Sequence, residues 1–132
     1  YIKVFRHNTD AVLVDGFDGE QIIDALVEEP FFQDCRHALS PDGVFVTNWW
    51  SGDKRYPLFL QRLAQVFEQR VLCVPAETHG NVAVLAFQNQ APQPLAALQK
   101  KAAKLGEQYG LDFKTMLHQA HVPPGSTWQW LR

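Results

Sequence analysis

Apolar and polar positions follow three regimes along this chain. The first is the unbroken apolar run Ala11-Val12-Leu13-Val14, which passes straight into Asp15-Gly16-Phe17-Asp18-Gly19. Such a run, bounded by turn residues, predicts a strand buried on both faces. Gly43–Asn48, Val71–Pro75 and Asn81–Phe87 are likewise β-branched or aromatic and predict three more strands. The second regime is helical. Phe31, Cys35 and Leu39 recur every four residues after Glu28-Glu29-Pro30, where acids and a proline suit a first turn. Ser40-Pro41-Asp42-Gly43 predicts the turn that ends this helix. Phe59, Leu63, Val66 and Arg70, widened by Leu60 and Phe67, predict a long helix over Lys54–Arg70. Leu95, Leu98, Ala102, Leu105 and Tyr109 predict another, closed by Gly110, and Asp112 caps a short one over Phe113–Ala120. In the third regime neither period holds. Glu20–Val27 predicts a loop with one helical turn, Gln88–Pro94 a linker and His121–Arg132 a tail. Tyr1–His7, with Ile2 and Phe5 three apart and basic Arg6 and His7 at its end, suits the last turns of a helix.

Strands alternating with helices predict an α/β fold in which right-handed crossovers make the first three strands parallel. Only Ala76–Gly80 separates the last two strands. A parallel pair needs a crossover of about a dozen residues, so these two should run antiparallel, giving a mixed sheet of four strands.

This topology puts candidate chemistry at strand ends. Open α/β sheets bind ligands at the carboxyl edge of their strands. Asp15 should stand at that edge, with Gly16, Phe17 and Asp18 on the loop above it. Asp and Gly are also turn residues, and these nine residues alone fit either role. The stretch Asn48-Trp49-Trp50-Ser51-Gly52-Asp53 reads as a second loop. Adjacent tryptophans cannot both face one way, so either one packs inward while the other lines a pocket, or both cover a helix end. His79, in the turn before Asn81, either faces the same crevice or plays no part in it. His118 and His121 are three apart, but no Cys or carboxylate joins them at ligand spacing, so they read as surface residues and no metal site is expected. Lys100, Lys101 and Lys104 form a solvated helix face.

Composition narrows the partners. A chain of 132 residues, 46% hydrophobic, makes one domain with an ordinary core. A formal net charge of −2 gives no reason to expect nucleic acid or an anionic membrane. No run approaches the roughly 18 apolar residues of a membrane span. Cys35 and Cys73 are the only cysteines and read as buried thiols in a reducing, cytoplasmic compartment. The chain opens on Tyr1, inside what reads as an element, which suggests a piece of a longer protein.

Several stretches together resemble one family. Asp15-Gly16-Phe17-Asp18 is similar to the Asp-x-x-Asp loop of the spermidine synthases, the polyamine aminopropyltransferases. Phe31-Phe32, Cys35 and Leu39-Ser40-Pro41-Asp42-Gly43-Val44 resemble the stretch that follows, and Val74-Pro75 with Gly80-Asn81-Val82 resembles the late strand pair. The resemblance covers residues 1–90. It implies the carboxyl-terminal half of a Rossmann-like, S-adenosylmethionine-dependent methyltransferase fold: a single partial domain with its core over 1–90 and carboxyl-terminal helices and tail over 91–132. It further implies that Asp15 deprotonates the attacking amine of a polyamine substrate and that Asp18 binds that amine as a cation. The co-substrate would be decarboxylated S-adenosylmethionine, not bound by this chain alone. Separately, Ala11-Val12-Leu13-Val14 has no charge, proline or bulge to protect an unpaired edge, which predicts self-association into a homo-oligomer. Two departures stand against the resemblance. The family's Pro-x-Gly-Pro-Ala stretch is replaced by Gly19-Glu20-Gln21-Ile22-Ile23, and Val74–Gly80 lacks the family's tyrosine. The glycine-rich loop and the ribose-binding acid are also absent. A methyltransferase-fold relative that binds a ligand or partner without aminopropyl transfer is therefore a second reading.

Overall fold

The computed structural model of the chain describes every residue except Tyr1, Phe5, Glu20 and His79. A short 3-10 turn, Ile2–Val4, leads into β1 (Thr9–Val14). A two-stranded hairpin follows, β2 (Phe17–Asp18) with β3 (Gln21–Ile22), and then a second 3-10 turn, Asp24–Leu26. Next come α1 (Glu29–Ala38), β4 (Leu39–Trp50), α2 (Tyr56–Val66), β5 (Val71–Pro75) and β6 (Asn81–Phe87). The chain closes with α3 (Leu95–Tyr109) and α4 (Phe113–Gln119). The main sheet has the order β1-β4-β6-β5. β1 runs parallel to β4, while β6 is antiparallel to both β4 and β5. The expected mixed sheet is present, with the reversed strand inserted between two strands of common direction.

One face of the sheet carries the core. Phe32 and Cys35 of α1 and Phe59 and Leu63 of α2 pack against Phe45, Trp49, Val82 and Val84. The Phe32 ring meets Phe45 edge-on at 5.8 Å, a favoured aromatic geometry. Burial and the neighbouring Asp34 push the Cys35 thiol up to about 12, and both cysteines are free and buried. On the opposite face, Val46, Leu72, Val74, Ala83 and Leu85 look toward Leu98, Ala102 and Leu105 of α3 and Phe113 of α4 across an apolar groove of about 520 Å³.

Several expectations need correction. β1 is not buried on both faces: Leu13 is 76% exposed, because β1 is the sheet's edge and the groove under α3 and α4 is walled by β4, β6 and β5. Ser40–Gly43 is not the turn that ends α1, which stops at Ala38 and passes directly into β4. It is an excursion within β4, where Thr9 pairs with Leu39 and Ala11 with Val44, five residues of advance against two. A side chain on Gly43 would meet Leu39 and the Ser40 carbonyl at 3.0 Å, so the excursion closes tightly on this glycine. The buried face of α1 is Phe32, Cys35 and Ala38, with Phe31 only half-buried. Helix α2 ends at Val66, because Glu68 and Gln69 take positive φ, at 52° and 70°, and Arg70 falls outside it. Residues 20–27 contain a strand as well as a helical turn. Tyr1–His7 holds one 3-10 turn, and Phe5 lies outside the described residues.

The tail is tied down. His121 exchanges backbone hydrogen bonds with Cys73 of β5, at 2.7 and 3.0 Å, and the Trp128 ring packs at a tilt against Phe87, centroids 5.8 Å apart. It therefore lies along the β5 edge, the opposite side of the sheet from β1.

Candidate active site

Three loops share one rim of the sheet because of the strand directions. β1, β4 and β5 all point their carboxyl ends to this rim, and reversed β6 begins there. The Asp15–Asp18 loop, the Ser51–Arg55 loop and the Ala76–Gly80 turn consequently come together. Ser51 joins the last two: its backbone N–H and its Oγ both donate to the Gly80 carbonyl, each at 2.8 Å.

Asp15 follows the last residue of β1 and is exposed. In the parallel register Val14 faces Thr47, which places Asn48 beside Asp15. Asn48 Nδ2 donates to Asp15 Oδ1 at 3.4 Å, which ties the carboxylate to the neighbouring strand. Asp18 lies in the hairpin, also exposed, where β2 pairs it with Gln21. Gly19 turns this hairpin at φ 63°, a conformation that favours glycine. Gly16, between the acids, is half-buried under Leu26, and its carbonyl accepts from Ile23 N–H at 3.4 Å. Phe17 is 38% exposed beside it.

The tryptophans divide by strand alternation, since both belong to β4 rather than to a loop. Trp49 does not line the site. It is 1% exposed, with its ring centroid 5.7 Å from Phe59 and 6.1 Å from Phe32. Trp50 is 45% exposed at the rim, packed over Gly52 and Gly80, where an added Cβ on Gly52 would lie 2.4 Å from its ring. His79 lies outside the described residues. His118 and His121 are exposed and away from this rim, and among the described residues no three His, Cys, Asp or Glu side chains gather as metal ligands.

Sequence reasoning missed Arg55. Its guanidinium forks onto Asp53, with Nε to Oδ1 at 3.1 Å and Nη2 to Oδ2 at 2.9 Å, while Nη1 donates to Asp24 Oδ1 at 2.6 Å. The arginine holds the Asp53 carboxyl below the usual carboxylate range. One signal was available: Lys54-Arg55 puts cations at a helix amino terminus, against its dipole, and a distant acid must compensate.

No family model matches the chain. Over 118 residues, 89% of its length, it is 71% identical to a polyamine aminopropyltransferase of Neisseria meningitidis and covers 45% of that protein. It is 61% identical over 114 residues to the polyamine aminopropyltransferase of Chromobacterium violaceum, covering 86% of this chain and 44% of that one. Among solved structures, a spermidine synthase in complex with a transition-state analogue matches with a TM-score of 0.57 and 26% identity, over 67% of this chain and 33% of that one. A probable spermidine synthase from Corynebacterium glutamicum matches with a TM-score of 0.62 over 80% of this chain and 40% of that one; at 19% identity it speaks to the fold alone. The chain spans less than half the length of the curated relatives it matches. No helix among the described residues is long and apolar enough to cross a membrane. Across the stretch it spans, the chain is similar to the polyamine aminopropyltransferases.

Proposed function

We propose that this chain carries the amine-accepting side of an aminopropyl transfer site, completed in a protein of its relatives' full length. The observation that carries the reading is Asp15 at the carboxyl end of β1, steadied by Asn48, with Asp18 three residues on in the hairpin. An alkyl ammonium has no lone pair and must lose a proton before it attacks. In our reading Asp18 attracts the cation of a putrescine-type amine, and Asp15 takes the proton. The freed nitrogen lone pair forms a bond to the methylene carbon beside the sulfonium of decarboxylated S-adenosylmethionine. The carbon–sulfur bond breaks, and its electrons leave with sulfur as a neutral thioether. Gly16, Phe17, Asn48 and Trp50 border this exchange. The 71% identity to a polyamine aminopropyltransferase supports the transferase over a ligand-binding relative without the chemistry. The two buried free thiols support a reducing, cytoplasmic setting.

The test is substitution of the two acids in the full-length protein. Asp15→Asn cuts turnover by about 10²–10⁴, the range for a general base. Asp18→Asn chiefly raises the KM for the amine, because its charge acts in ground and transition states alike. Full aminopropyl transfer with Asp15 replaced overturns the assignment. The 132-residue chain by itself is expected to be silent. In our reading the backbone donors and the ribose acid that the nucleoside needs come from the part of the full-length relatives that this chain does not span. Micromolar binding of decarboxylated S-adenosylmethionine to the chain in calorimetry contradicts that expectation.

A further inference from the structure

We propose that Arg55 is a positioning residue for the acid-bearing loop: it clamps the Asp24–Leu26 turn to the start of α2, and that turn seats Gly16 between Asp15 and Asp18. The proposal rests on the reading of these acids as the amine site. Arg55 is fixed before it reaches the turn. Asp53 grips its guanidinium through two parallel hydrogen bonds and also accepts from the Arg55 backbone N–H at 2.8 Å. Its Cζ lies 5.1 Å from the centroid of the Phe59 ring, and Phe59 is a core residue. The remaining donor, Nη1, crosses to Asp24 Oδ1 at 2.6 Å. An exposed ion pair ordinarily spends much of its Coulomb energy on ordering two long side chains. Here the arginine is already ordered, and Asp24 is short. The turn then acts on the acid loop through two contacts, Leu26 over Gly16 and the Ile23 N–H on the Gly16 carbonyl. The line from Phe59 to Gly16 ties an otherwise exposed loop to the core.

The experiment measures amide hydrogen exchange on the 132-residue chain as the wild type, Arg55→Ala, Asp24→Asn and the double variant. Ile23 and Val27 donate to Gly16 and Asp24 and report the turn. Their exchange should accelerate about two- to five-fold in each single variant, the span expected for an exposed pair. The double variant should be no faster than the singles, and Asp24→Glu should recover protection. Amides shared by β4 and β6 should not change, which certifies the fold. Asp24 is exposed, so its variant stays informative even if Arg55→Ala does not fold. Unchanged exchange at Ile23 and Val27, or effects that multiply in the double variant, overturns the clamp. In the full-length protein Arg55→Ala should raise the amine KM by a similar two- to five-fold and leave the KM for the sulfonium donor unchanged. A full-length wild type with no aminopropyl transfer but an Arg55-dependent turn defeats the function and leaves the clamp. An active enzyme whose turn ignores Arg55 does the reverse.

Discussion

Gly16→Ala tests how tightly the acid loop is seated. A Cβ built on Gly16 would lie 2.3 Å from Leu26 Cδ1 and 3.6 Å from Ile23 Cδ1. Ordinary carbon contact is about 3.5–4.0 Å, so the leucine methyl must retreat by more than an ångström. Gly16 is not among the positive-φ glycines, so alanine meets no backbone penalty and even gains about 0.4–1 kcal/mol from a less flexible unfolded chain. Overpacking costs about 1–3 kcal/mol. Leu26 is the end of a flexible, half-buried side chain and yields at the lower part of that range. The net expectation is a loss of about 0.5 kcal/mol in urea denaturation, roughly 2 °C in Tm for a domain of this size. The cycle with Leu26→Ala isolates the cause. Once Leu26 is truncated, Gly16→Ala should become neutral or stabilising by a few tenths of a kcal/mol. If the alanine costs the same with and without Leu26, the contact is not the obstacle and the seating argument fails.

The tryptophans should separate cleanly: Trp49→Ala costs about 3–5 kcal/mol in denaturation while Trp50→Ala costs under about 1, and equal losses would contradict their strand alternation. Glu68 bridges Arg36 and Arg70 at 2.7 and 2.8 Å, and these two cations hold its carboxyl at about 2 against an ordinary 4.5. A depressed carboxyl contributes stability above its unfolded value and loses it as pH falls. Glu68→Gln should therefore lower Tm by about 1–4 °C at pH 7, with the gap closing between pH 4.5 and 2; a gap that persists at pH 2 refutes the charge origin. The chain should self-associate at micromolar concentration through the β1 edge, where Leu13 is exposed, and Leu13→Lys should return it to monomer in sedimentation; a dispersed wild-type monomer sinks the idea.

What the sequence revealed and what it hid follow from the range of the interactions involved. The strands at 71–75 and 81–87 and their antiparallel pairing were legible because apolar runs and a short connection are local signals. The end of α3 was legible for the same reason: Gly110 takes φ 67°, and Asp112 accepts from Thr115 N–H at 3.0 Å, both within a few residues. The continuation of β4 through Trp49 and Trp50 was not. Their pairing with Val82 and Asn81 is decided by a strand some thirty residues away, and tryptophan next to Ser-Gly-Asp reads locally as loop. The exposure of Leu13 was hidden because an apolar run does not say which of its faces finds a partner. The reach of Arg55 was hidden because only Asp53 is local to it, while Asp24 lies 31 residues away on another loop.

That distinction bears on the site itself. The acids are local features, two carboxylates at Asp-x-x-Asp spacing, and could be named from nine residues. Their usefulness depends on something no local pattern contains, the place of β6 between β4 and β5. Insertion of this strand between β4 and β5 brings the Ala76–Gly80 turn to the rim that already holds Asp15 and Asn48. Ser51 then locks that turn to the loop that leads into Arg55, and Arg55 reaches back to the turn beneath Gly16. A strand added instead at the outer edge of β5 would leave Trp50 without Asn81 as its partner and the two loops unconnected. The order of the strands, more than the acids, turns an exposed Asp-Gly turn into a loop with a defined seat.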